Sequence, residues 1–195
     1  KMATYVRDRG RAAADFGSRG PIRYDAAGQL HPDILTDFER NGFYIFEGVV
    51  DADEIEELRD AVEDTIQRAP SPPDSDTDAQ GRPALGLDYP ISPYIFIKPL
   101  SDPWGGTNLL SGRHPVKMTE PSPDDDAPDH VVHLLLQMCT SMPAALRLYG
   151  HPDLLAIAEA INGPNFVPYN DSIFVKKPGM GGSVAWHQDG ATHWD

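Results

Sequence analysis

Cysteine is nearly absent from this chain. Among its 195 residues Cys139 is the single cysteine, so a disulfide within the chain is excluded. It lies in the apolar run from Leu134 to Cys139, where we expect a buried and inert thiol. No residue that would activate a catalytic cysteine is recognisable. A chain without disulfides suits a reducing compartment, and we expect the cytoplasm.

Basic residues and long apolar segments are also scarce. Lys and Arg number 16 against 30 Asp and Glu, which gives a net charge of −14. That sign disfavours nucleic acid and anionic membranes as partners. No apolar run approaches the ~20 residues of a membrane-spanning helix. With 40% hydrophobic and 24% charged residues the composition is that of a globular domain.

The first part of the chain predicts an extension followed by helices. Residues 1–30 read as a loosely ordered, basic extension, and residues 31–195 as part of one domain. Apolar spacing predicts a short helix from Ile34 that ends at Asn41-Gly42, followed by a strand over residues 43–46. A second helix begins at Asp51, with Glu54 placed for a reciprocal cap.

The middle and end of the chain predict loops, helices and late strands. Residues 70–128 are rich in Pro, Gly, Ser and Asp and form a loop-rich insertion, interrupted by a strand over residues 94–97. The expected helices cover residues 130–141 and 152–162, and the expected strands cover residues 171–175 and 183–187, joined by a Gly-rich turn. Because strands begin late, we expect the sheet to continue beyond Asp195.

The pair His187-x-Asp189 is the strongest chemical signal. On a strand these two side chains point to the same side. An imidazole and a carboxylate presented together are two thirds of a 2-His-1-carboxylate iron site. His193 is a poor third ligand, because four strand residues at about 3.3 Å each carry it too far along. In the plainest alternative, His187 and Asp189 only hydrogen-bond within a structural domain.

Two stretches resemble the phytanoyl-CoA dioxygenase family of Fe(II)- and 2-oxoglutarate-dependent oxygenases. One is the Phe38–Val50 segment, with Asn-Gly-Phe between a helix and a strand before an acidic helix. The other runs from Gly163-Pro164-Asn165 through the Ile173–Gly179 segment to Trp186-His187-Gln188-Asp189. The resemblance covers roughly residues 33–66 and 150–195, and the region between them matches no family motif.

The resemblance implies an α+β fold with a mainly β core. That core is a double-stranded β-helix, the jelly-roll barrel of cupin-like proteins, preceded by helices. His187 and Asp189 would bind Fe(II), with Gln188 and Ile173 near the 2-oxoglutarate. An upstream lysine, Lys117 or alternatively Lys98, would also contact this cosubstrate. A second histidine ligand and an arginine for the distal carboxylate would follow Asp195, so the chain as given should not be active alone.

The implied reaction uses O2 and 2-oxoglutarate and releases succinate and CO2. It hydroxylates or desaturates an unactivated C–H bond of a small organic or acyl substrate. Asp189 favours this outcome, because related halogenases lack the carboxylate. Two other functions stay open: an inactive jelly-roll that binds a ligand, and a cupin-like metal enzyme that does not use 2-oxoglutarate. Neither the substrate nor the oligomeric state can be read from the sequence.

Overall fold

The protein is a mixed α/β chain whose described residues form two small sheets. The computed structural model describes residue 4 and residues 17–101, 122–168, 170–182 and 184, and the described residues form no closed barrel. The chain divides into two compact units: unit 1 is Lys1–Glu57 with Leu146–Tyr169, and unit 2 is Leu58–Ala145 with Asn170–Asp195. In chain order the elements are β1 (Arg19–Pro21), α1 (Pro32–Asn41), β2 (Ile45–Glu47), α2 (Ala52–Gln67), β3 (Tyr94–Ile97), β4 (Val131–Leu136), α3 (Met138–Ser141), α4 (Pro143–Tyr149), α5 (Pro152–Asn162) and β5 (Ser172–Phe174).

Unit 1 contains β1, β2, α1 and α5. The strands β1 and β2 pair in parallel, so residues 19–21 of the expected extension contribute a strand. Helix α1 ends as predicted: Gly42 adopts a left-handed φ of 77°, and its N–H donates to the Phe38 carbonyl at 2.7 Å. An apolar cavity of about 240 Å³ lies in this unit, lined by residues that include Ile34, Phe38 and Ile161.

Both helices of unit 1 begin with His-Pro-Asp. His31 Nδ1 accepts a hydrogen bond from the Asp33 N–H at 3.3 Å, and His151 Nδ1 accepts one from the Asp153 N–H at 3.2 Å. These bonds satisfy amides at the helix starts that have no partner within the helix. Tyr24 donates to Asp153 Oδ1 at 2.6 Å, and burial together with this bond raises the pKa of Tyr24 to about 12.

The predicted reciprocal cap of α2 is confirmed. The Glu54 N–H donates to Asp51 Oδ1 at 2.9 Å, and the Asp51 N–H donates to Glu54 Oε2 at 3.1 Å. The apolar stripe of the helix, Leu58, Val62 and Ile66, packs against the core of unit 2. That core contains Ala69, Tyr94, Val132, Leu135, Met138, Met142 and Ala144.

Unit 2 is built on the antiparallel sheet β3-β4-β5. Strand β3 covers the predicted residues, whereas the helix predicted over residues 130–141 is wrong. Its first half is β4, and only Met138–Ser141 is helical. The physical reason is burial on both faces: Val132 to Leu135 are all buried, because β4 is the central strand of the sheet. A continuous apolar run of this length fits a central strand as well as a helix.

The loop after α2 is held together by a buried carboxylate. Asp78 Oδ1 accepts the backbone N–H groups of Gln80 and Arg82, both at 2.9 Å, and Asp78 Oδ2 accepts Arg82 Nε at 2.7 Å. Burial would raise the pKa of this carboxyl, but the hydrogen bonds and the charge of Arg82 outweigh it and hold the pKa below its ordinary value.

Candidate functional site

Most of the predicted site residues lie outside the described part of the chain. His187, Gln188, Asp189 and Lys117 all do, as does the predicted strand over residues 183–187 apart from residue 184. The described residues contain no group of three His, Cys, Asp or Glu side chains able to hold a metal ion. Ile173 and Lys98 are described, and they lie on β5 and directly after β3.

The pairing of the strands assigns each side chain of the sheet to one of two faces. Leu135 pairs with Tyr94 and Ile173, whereas Leu134 pairs with Ile95 and Phe174. Residues directly opposite each other on antiparallel strands share a face. Ile173 therefore lies on the core face, where it packs against the core cluster.

The opposite face carries a histidine, and we call it the His133 face: Ile95, His133, Leu134 and Phe174. Ile95 pairs with Leu134, and the next residue of β3, Phe96, pairs with Val132. His133 lies between these two paired residues of β4 and is therefore the extra residue of a β-bulge. The His133 ring meets the edge of the Phe174 ring at 82°, with centroids 5.4 Å apart, which places both on this face. A bulge redirects a side chain and is common beside functional sites.

His133 is fully buried, and its described surroundings favour the neutral imidazole. Its exposure is 0%. Burial lowers the pKa of His133, and the positive charge of Lys176 lowers it further. The sequence predicted a helix over residues 130–141 and did not single out this residue for a functional role. A lone histidine inside the apolar run 131–136 was the available signal.

At Gly182 the backbone packs closely against the His133 face. This residue is buried, and its Cα faces Ile97, Ser101 and His133. A Cβ atom at position 182 would collide with Ile97 Cδ1 and lie 2.8 Å from the Ser101 carbonyl oxygen and 3.2 Å from His133 Cε1. Only glycine fits this approach. Gly182 precedes His187 by five residues in the sequence, so the backbone that leads to the predicted ligands passes over His133.

Lys176 is a cation beside this face. Its Nζ donates a hydrogen bond to the Gly182 carbonyl oxygen and lies 5.7 Å from the centroid of the Phe174 ring. Partial burial lowers the pKa of Lys176. Lys98, the other lysine that the resemblance suggests, is exposed directly after β3. The sequence could have indicated that Lys176 lies on the same face as Phe174, because it follows Phe174 by two residues and side chains alternate along a strand.

Unit 2 also contains a cleft whose lining includes none of the residues of the His133 face. Its volume is about 400 Å³, and its lining includes Phe96, His130 and Lys177. Ile173 and Lys98 do not line it, so neither of the described residues assigned to the cosubstrate belongs to this cleft.

Within the described part of the chain, no helix is both long and apolar enough to cross a lipid bilayer. No protein-family model, no curated protein and no solved structure matches this chain.

Proposed function

We propose that this chain belongs to an Fe(II)- and 2-oxoglutarate-dependent dioxygenase. It would hydroxylate or desaturate an unactivated C–H bond of a small organic or acyl substrate and form succinate and CO2. The observation that carries the proposal is the pair His187-x-Asp189, which follows β5 and the close approach at Gly182. A nitrogen and a carboxylate oxygen are the donors that non-haem iron takes in the 2-His-1-carboxylate site.

The sheet supports the jelly-roll fold that belongs to this proposal. Strands β3, β4 and β5 are antiparallel, as in such barrels, and α2 covers one face only. Within the described residues β5 pairs with β4 alone, so its other edge is available for a further strand. On the His133 face Phe174 keeps 46% of its surface exposed, which is compatible with a ligand on that side.

The proposal gives different roles to the metal-binding and the cosubstrate-binding residues. His187 and Asp189 would hold the metal, and a second histidine further along the polypeptide would complete the set. Bound iron would supply the activation of O2, while the chain orients substrate and cosubstrate and excludes water. The assignments of Gln188, Ile173 and Lys117 to the cosubstrate stay predictions.

A turnover assay tests the proposal. The full-length protein is supplied with Fe(II), ascorbate and 2-oxoglutarate, and succinate is measured for wild type, His187→Ala and His130→Ala. His130 is exposed and has no assigned role, so it serves as the matched control. We expect succinate from wild type and His130→Ala, and only background from His187→Ala.

The other outcomes point to different functions. Metal binding that depends on His187 without succinate or 2-oxoglutarate binding would indicate a cupin-like enzyme. No metal binding and no succinate would indicate a barrel without catalysis. Equal succinate from wild type and His187→Ala would remove the metal-ligand assignment on which the proposal depends.

A further inference from the structure

Within the described part of the chain, Lys176 is a cation whose contacts are with neutral groups. Its ammonium contacts the Gly182 carbonyl oxygen and the Phe174 ring, and no ion pair among the described residues involves it. This is unusual in a chain with 30 acidic residues and a net charge of −14. An ammonium has three N–H donors, and the Gly182 oxygen uses one of them. No other acceptor among the described residues contacts the ammonium, so its two remaining donors can serve a ligand.

The surroundings of Lys176 favour an anion. The Phe174 ring contacts both Lys176 and His133, and an imidazole is not an anion that could compete with a ligand for the ammonium. Phe174 offers an exposed apolar ring next to the ammonium. A partly desolvated ammonium attracts an anion more strongly than a fully hydrated one, because the local dielectric constant is lower. Much of the Lys176 side chain is still accessible, so a ligand can reach it.

We propose that Lys176 binds a carboxylate group of a small-molecule ligand, with the Phe174 ring packing against the ligand's adjacent carbon atoms. The proposal deepens the oxygenase function proposed above and rests on it, since that function supplies two possible sources of a carboxylate, 2-oxoglutarate and an acidic substrate. The residue differs from Lys117 and Lys98, which the family resemblance suggested.

The first experiment tests the cosubstrate as the source of the carboxylate. The full-length protein is loaded with Mn(II), and 2-oxoglutarate is titrated calorimetrically into wild type, Lys176→Met and Lys177→Met. Lys177 is the adjacent lysine, and its side chain lines the separate cleft. If the carboxylate belongs to 2-oxoglutarate, Lys176→Met weakens binding about tenfold or more, equivalent to ~1.4 kcal/mol. Lys177→Met should stay within about twofold of wild type.

The second experiment tests the substrate as the source. Acetate, butyrate and octanoate are titrated into the Mn(II) protein, with and without saturating 2-oxoglutarate. If Lys176 binds the substrate's carboxylate, at least one acid binds wild type and Lys177→Met, and binds Lys176→Met about tenfold more weakly. If Lys176→Met does not fold, Lys176→Gln supplies the neutral variant, and Lys176→Arg should retain binding because it keeps the charge.

The outcomes separate this proposal from the oxygenase function. Wild type that binds 2-oxoglutarate, with neither titration altered by Lys176→Met, overturns the carboxylate site and leaves the oxygenase intact. A monocarboxylate bound through Lys176 by a protein that never binds 2-oxoglutarate removes the oxygenase and leaves the site.

Discussion

Replacing Gly182 with alanine tests the close packing over the His133 face. The new methyl group would overlap Ile97 Cδ1 and lie 2.8 Å from the Ser101 carbonyl oxygen and 3.2 Å from His133 Cε1. The Ile97 side chain can rotate, but the Ser101 oxygen belongs to the backbone and His133 is fully buried. Overpacking of this kind costs about 1–3 kcal/mol. We expect Gly182→Ala to lower the free energy of unfolding by about 2 kcal/mol.

Urea denaturation of the full-length protein measures this loss. Gly150→Ala is the matched control, because a Cβ there would meet only the Leu146 carbonyl oxygen at 3.6 Å, an ordinary contact. The control should stay within about 0.5 kcal/mol of wild type. If Gly182→Ala behaves like the control, the backbone does not pass over His133 as described.

Three further predictions concern other parts of the chain. Asp51→Ala removes the acceptor for the Glu54 N–H and should cost about 1 kcal/mol in urea denaturation, and a loss below about 0.3 kcal/mol would contradict the cap. Asp78→Asn should destabilise the protein at neutral pH. Because the folded pKa of Asp78 is lowered, its contribution is present above the unfolded pKa and is lost as pH falls through the folded value, so the difference in unfolding free energy from wild type should shrink below about pH 4. An unchanged difference between pH 7 and pH 3 would refute this. Burial and the Asp171 carboxylate raise the pKa of Cys139, so iodoacetamide should modify this thiol faster in Asp171→Asn than in wild type at pH 8, with equal rates counting against the contact.

The parts of the fold that follow from local chemistry could be predicted from the sequence. The end of α1 depends on a glycine that tolerates positive φ, and the start of α2 depends on Asp51 and Glu54 reaching each other's amides. Both features involve residues within four positions of each other. Neither depends on how distant segments pack.

Strand β4 could not be predicted in this way. Its six residues, Val131–Leu136, lie between His130 and Gln137, and their mostly apolar character suits a helix face or a central strand. The choice is made by β3 and β5, which pair with it from positions that are more than 30 residues away along the chain. Tertiary pairing decides the structure of such runs, because propensity differences are small by comparison.

The same limit applies to the candidate site. A one-residue difference along a strand moves a side chain to the other face. Ile173 is assigned to the cosubstrate by resemblance, and that assignment stays a prediction. Its pairing with Leu135 places it on the core face, and its neighbour Phe174 lies on the His133 face. The faces are fixed by register, and register is a property of paired strands. His187 and Asp189 stand out in the sequence because both are residue types that bind metals and their spacing is typical of such sites. His133 does not stand out in the sequence. Its position beside Phe174 and next to Gly182 depends on the β-bulge opposite β3. Residues whose position depends on strand pairing can be assigned to a face only when the partner strands are known. Lys176 is another residue of this kind.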